Sequence, residues 1–289
     1  MIDVSATRIK AMLHIASIGM ARDDRSPHPV GELEDIRWAR VDWAIDVARA
    51  HADVVVGIKV RLGEGQLGSD PENCREALRR TRQAADAVGK PAMIHIGTTP
   101  IPLDEILENL NTGDVVTHCY HGRRDGILGD DGKVKRAVRR AAERGIGFDV
   151  GHGAGSFSFD VARRGLEQGF EPGTISSDIH TWSVAGPSYD LATTATKFLH
   201  LGMPLEKVLR KITEAPAAVI GMAGEIGTLR VGAHADATVL RLAEGEWALT
   251  DTHGVTEMSG RRLEAVQAVR AGKVYPCTPA VYRVPAHTH

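Results

Sequence analysis

Short apolar runs and longer amphipathic stretches alternate along the chain as far as about residue 220. The runs are KAMLHIASIG (10–19), ADVVVGIKVRL (52–62), AMIHIG (92–97), DVVTHCY (114–120), IGFDVG (146–151) and TISSD (174–178). Val and Ile crowd them without polar alternation, the pattern of parallel strands covered on both faces. Helical spacing fills the gaps at 33–51, 70–89, 133–145 and 189–202. Asp70 is placed to cap the second of these and Pro71 to open its first turn, while Gly89 and Gly145 supply C-terminal stops. A strand roughly every 30 residues, each followed by a helix, predicts an α/β chain of the TIM-type (β/α)8 barrel class.

Beyond Gly221 the texture changes. EIGTLRVGAHADATVLRL (225–242) and RRLEAVQAVRAGKVYP (261–276) read as short strands broken by Gly and Asp. The expected organisation is therefore a barrel over 1–222 and part of a small appended β module over 223–289. Neither an internal repeat nor a low-complexity tract is present.

Composition narrows the function classes. Hydrophobic residues make up 43% and charged residues 25% of the 289, close to the globular average. A net charge of −2 with no long basic block argues against nucleic-acid binding. Three widely spaced cysteines form no CxxC pair, and no apolar run reaches the ~18 residues of a membrane span. MIDVSATRIKAM lacks the charged-then-apolar order of a signal peptide, so a cytoplasmic location is expected.

Thirteen histidines are the informative excess. In barrels of this type chemistry sits at the C-terminal strand ends. Lys59 interrupts VVVGIKVRL, His95 interrupts AMIHIG, His118 ends VVTH, and Asp178 ends TISSD. Two imidazoles and a carboxylate converging there suit zinc or a similar divalent ion. A lysine in so apolar a strand is costly unless neutralised or paired. Converted to a carbamate by carbon dioxide, it could bridge two metals. The competing reading of Lys59 is a Schiff-base nucleophile, as in barrel aldolases, which borohydride trapping would reveal. The His and Asp cluster favours metal chemistry.

GIKVR, MIHIG, VVTHCYHG and TISSDIH, in this order and spacing, resemble the ligand set of the amidohydrolase superfamily. FDVGHGAGSFSF, SDIHTWSVAGPSYDL, KITEAPAAVIG and GTLRVGAHADATVL are similar to its deacetylase-like and dihydroorotase-like branch. The resemblance implies that Lys59 is the carboxylated bridging ligand and that His95 and His118 hold the second metal. It implies that Asp178 binds the first metal and acts as general base and acid around a metal-bridged hydroxide. His152, flanked by Gly151 and Gly153, is a candidate to contact substrate or to orient a residue that does. His180 and Gly186 are further substrate-loop candidates, against the plainer readings of a structural histidine and an ordinary turn. His121 is expected in solvent, and His287 and His289 in a solvated tail.

The superfamily's first strand carries a His-x-His pair that is not found here. His14 lies in a strand, but position 16 is Ala16. The strand at 10–19 resembles the superfamily's third, so the barrel is expected to lack about its first two strands. This chain is then expected to bind one metal tightly at most, with weak or no activity, whereas the complete family holds two. The function expected is metal-dependent deacetylation of a small polar substrate. The alternatives are cyclic-amide hydrolysis of the dihydroorotase or hydantoinase kind, and a non-catalytic truncated homologue. A small-molecule substrate, no nucleic-acid or membrane partner, and a homo-oligomer complete the expectation.

Overall fold

The computed structural model describes residues 5–21 and 30–278. Strands β1 (Ala11–His14), β2 (Val55–Arg61), β3 (Ala92–His95), β4 (Val115–Thr117) and β5 (Gly147–Asp149) pair side by side in chain order, every neighbour parallel. Helices α1 (Val41–Ala50), α2 (Glu64–Leu67), α3 (Pro71–Val88), α4 (Leu103–Glu108), α5 (Arg136–Glu143) and α6 (Phe159–Glu167) fall between or after them. A helix after each strand, with strand order following chain order, is the wiring of an α/β barrel wall. Among the described residues β1 pairs with β2 alone.

Ile58 and Val60 of β2, Ile94 of β3 and Val116 of β4 are fully buried. α3 supplies part of their cover because its buried stripe is small: Cys74, Ala77, Leu78, Thr81, Ala84 and Ala85 recur at helical spacing. Its ends are as expected. The Asp70 side chain accepts from the Glu72 N–H, Pro71 opens the first turn, and Gly89 closes the helix at φ +64°. The expected helix 33–51 is shorter than its pattern. Residues 36–38 form a 3-10 turn, and α1 starts only at Val41. The Ser17 N–H bonds to the Trp38 carbonyl, which ties that segment to the end of β1 instead.

TISSD (174–178) is not a ladder strand. It runs extended, and the N–H groups of Val150, His152 and Gly153 donate to the carbonyls of Thr174, Ser176 and Ser177. Polar Thr and Ser, with a left-handed Asp178 at φ +44°, end the pleat that Val and Ile sustain elsewhere.

Two compact units partition the chain. One contains Ile9–Asp149 and Arg164–Glu171; the other contains Val150–Arg163 and the chain from Pro172 onward. The second unit carries α7 (Leu191–His200), α8 (Leu205–Ile212), α9 (Glu214–Val219) and an antiparallel sheet of β6 (Ala237–Thr250), β7 (Thr256–Arg270) and β8 (Lys273–Pro276). The short broken strands expected here are instead one long hairpin plus a short edge. Gly227, Gly232 and Asp236 precede β6 and Gly272 lies in the turn to β8, while register shifts at Val239/Leu240 and Glu244/Trp247 are absorbed by the ladder without ending it. Asp251 closes the β6–β7 loop by accepting from the His253 and Val255 N–H groups. Ala271 and Gly272, both at positive φ, form the two-residue turn into β8.

Candidate functional site

The parallel register fixes which side chains share a face. His14 aligns with Lys59 and Lys59 with Met93; one row further on, Arg61 aligns with His95, His95 with Thr117, and Thr117 with Asp149. Ile58, Val60 and Ile94 occupy the opposite face. One side of the wall is thus apolar, and the other carries cations, imidazoles and a carboxylate toward the strand ends.

His118 joins this group through its backbone. Alternation would point the residue after Thr117 to the other face, but His118 adopts a left-handed φ of +74°. Such a conformation costs a non-glycine residue about 1–3 kcal/mol and is tolerated where its surroundings over-determine it. Its consequence is that His118 Nε2 lies 2.7 Å from His95 Nδ1, with the rings edge to face. Burial first, then the His118 ring and the Lys59 charge, hold His95 well below the ordinary histidine range. Neutral imidazole is the form that binds metal. Two convergent ring nitrogens, one of them on a His95 held neutral, therefore fit part of a metal site. Among the described residues, no three His, Cys, Asp or Glu side chains gather as a metal cage.

Beside this pair lies a cluster that motif reading missed. The Glu32 side chain is fully buried and accepts from Arg61 Nε (2.6 Å) and Nη2 (2.9 Å). His14 Nδ1 accepts from the Ala16 N–H, so a neutral ring carries its proton on Nε2, which points to Glu32 Oε1 at 3.7 Å. Burial, then Arg61 and Lys59, lower its pKa to about 3. The buried His14 Nε2 makes no hydrogen bond at that distance, so His14 faces Glu32 without being paired to it. Glu32 offered no sequence signal, because GELED reads as an ordinary polar loop.

His121 corrects an expectation. It is 1% exposed, its Nδ1 accepts from the Arg123 N–H, and its buried Nε2 has no hydrogen-bond partner. Gly126 allows this, since a Cβ there would stand 3.2 Å from the ring. Burial is the main cause of its pKa falling to about 4.

The remaining candidates lie in the second unit. His152 is fully buried and stacks on Phe157. Its Nδ1 donates to the Gly153 carbonyl at 2.9 Å, and its Nε2 accepts from Lys197 Nζ at 2.6 Å. Both ring nitrogens are engaged, and burial followed by the Lys197 charge keeps the ring neutral. Lys197, which pattern reading placed anonymously inside a helix, is itself fully buried. Burial lowers it to about 7, against the raising effect of Asp251. Asp178 Oδ2 packs against Gly153, where an added Cβ would come within 2.7 Å. His180 is half-buried and accepts from the Trp182 N–H. Gly186, at φ +126°, faces the Tyr189 ring so closely that a Cβ would meet it at 2.9 Å, so its role in the loop is to be glycine. His287 and His289 lie outside the described residues.

All three cysteines are free thiols. No helix among the described residues is long and apolar enough to cross a membrane.

The family model described as Amidohydrolase family matches residues 39–269. A protein of Brucella anthropi named deacetylase is 35% identical over 294 aligned positions, which cover all of this chain and 70% of that one. A solved structure titled a dihydroorotase superposes with a TM-score of 0.86 at 35% identity, covering 97% of this chain and 73% of the other. One titled an adenine deaminase does so with a TM-score of 0.86 at 31%, covering 96% and 73%.

Proposed function

This chain belongs to the amidohydrolase family, hydrolases of carbon–nitrogen bonds on an α/β barrel, and from that premise we propose that it removes an acetyl group from a small polar substrate. The observation that carries the reading is the meeting of His95 and the buried His118, two imidazoles at adjacent strand ends, with Lys59 one register row behind. The family generally uses divalent metals. His95, His118 and Lys59 as its carbamate would hold the ion, zinc foremost, and the family resemblance adds Asp178 to that ligand set. When bound, the ion supplies Lewis acidity toward the acyl carbonyl.

The chain's own groups do the rest. Asp178 accepts a proton from the water whose oxygen bonds to the acyl carbon, and returns it to the nitrogen as the C–N bond breaks. The products are a carboxylate and an amine. His152 and His180 would orient the loops around that carboxylate. The relative named deacetylase supports acetyl transfer to water. The dihydroorotase structure at equal identity favours a second reading, ring opening of a cyclic amide.

A substrate panel separates them. Acetate release from N-acetyl amino acids and O-acetyl hydroxy acids would be measured beside ring opening of dihydroorotate and hydantoin, with metal content determined in parallel. We expect acetate release, and metal retained by the parent but lost in His95→Ala and His118→Ala. Ring opening without acetate release would replace the deacetylase reading. Full metal retention in both variants would remove the strand-end site.

A further inference from the structure

Lys197 sits in the middle of α7, and nothing said so far gives it a task. Its side chain is fully buried, and its amino group lies among three acceptors: His152 Nε2 at 2.6 Å, the Pro187 carbonyl at 2.9 Å and the Thr250 carbonyl at 2.7 Å. The proton on His152 Nδ1 is committed to the Gly153 carbonyl, so Nε2 can only accept. Three acceptors match the three N–H bonds of an ammonium, and a neutral amine would turn a lone pair toward one of them. Phe157 and Phe159 flank the head at 5.6 and 6.0 Å from their ring centres, which favours the cation further.

The three acceptors belong to separate segments, and two of these flank Asp178. Gly153, next to His152, donates its N–H to the Ser177 carbonyl at 3.0 Å and packs against the Asp178 carboxylate. Ser188, next to Pro187, donates its hydroxyl to the same carbonyl at 2.7 Å. Both donors that hold the residue before Asp178 therefore belong to residues next in the chain to those that Lys197 Nζ contacts. Asp178 itself sits at φ +44°, a conformation a carboxylate residue keeps only when its neighbours impose it.

We propose that Lys197 is the positioning residue of Asp178, its buried ammonium drawing the His152–Gly153 turn and the Pro187–Ser188 loop against Ser177 so that the carboxylate is held in one place. The catalytic consequence rests on the role assigned to Asp178 above; the clamp itself does not. Lys197→Met keeps nearly the volume of the side chain, one bond shorter, and removes the donors.

The decisive readout is amide hydrogen exchange in the full chain. His152 and Gly153, which donate to Ser176 and Ser177, should exchange at least ~10-fold faster in the variant, in proportion to the lost hydrogen bonds. Amides of the β6–β7 ladder around Thr238 and Ala268 should stay within about twofold. Lys197→Gln, which retains two N–H donors one bond short, serves with the same readout if the methionine variant does not fold. Turnover of an N-acetyl amino acid should fall about 100-fold in kcat with KM nearly unchanged, as for a misplaced catalytic group, and Asp178→Asn should fall as far. Unchanged exchange at His152 and Gly153, or acceleration spread evenly over the ladder, would overturn the clamp. Local acceleration with an Asp178→Asn variant that keeps its activity would leave the clamp standing and remove Asp178 from the reaction.

Discussion

His121 offers a quantitative test of how the first unit tolerates acid. Its ring is 1% exposed, and burial is the largest cause of its pKa of about 4 against an ordinary 6.5. As pH falls, the unfolded chain takes up this proton first. Stability tied to His121 is thus complete above 6.5, is lost as pH drops from 6.5 toward 4, and changes no further below. Two and a half pKa units at 1.36 kcal/mol each set a ceiling of roughly 3 kcal/mol. By pH 5 the unfolded histidine is almost fully protonated and the folded one hardly at all, so about 2 kcal/mol is gone, against a few tenths at pH 7. In His121→Asn the amide oxygen can stand in for Nδ1 and accept from the Arg123 N–H, while the titration disappears. Urea unfolding of parent and variant at pH 7, 6 and 5 gives the comparison. The variant should gain on the parent by about 2 kcal/mol between pH 7 and 5. A gap that stays constant within about 0.5 kcal/mol would show that the ring is not held neutral, and the burial argument would be wrong.

Three further substitutions probe other parts of the framework. Glu32→Gln removes the charge from a carboxylate with no exposed side-chain surface and leaves Arg61 uncompensated, so a loss of about 3 kcal/mol is expected in urea unfolding; a loss under about 1 kcal/mol would mean that the pair is hydrated. Gly153→Ala places a Cβ at φ +54° and 2.7 Å from Asp178 Oδ2. It should cost about 1–2 kcal/mol from the backbone alone and lower acetate release more than that loss explains, whereas parent-like activity would separate Asp178 from the chemistry. Thr196→Val deletes the hydroxyl that accepts from the buried Leu263 N–H and ties α7 to β7. A thermal midpoint lowered by a few degrees, the equivalent of about 1–2 kcal/mol, is expected, and an unchanged midpoint would mean that the sheet finds another acceptor for that N–H.

Much of the barrel wall was legible before any coordinates. β2, β3 and β4 lie where Val and Ile crowd, and α3 begins at Asp70-Pro71 and ends at Gly89, because local sterics and capping act over a few residues. Lys59, His95 and His118 stood out for a related reason: a polar residue is conspicuous in an apolar strand. Periodicity failed where long-range bonding took over. TISSD had a strand's position but not its ladder, and the β6–β7 hairpin ran well past the stretches 225–242 and 261–276 because cross-strand pairing continues through its bulges. Partnership was beyond a linear reading. His118 reaches His95 only by a left-handed turn, Glu32 finds Arg61 across 29 positions, and Lys197 finds His152 across 45. The sequence by itself determined the class of chain and the strand ends at which chemistry could occur, since those follow from the spacing of apolar residues. Only the tertiary structure decided that His121 is buried, that His14 accepts from the Ala16 N–H, and that Lys197 stands among three acceptors. Burial and hydrogen bonding are properties of neighbours in space, and the acceptors around Lys197 come from segments that local pattern treats as independent.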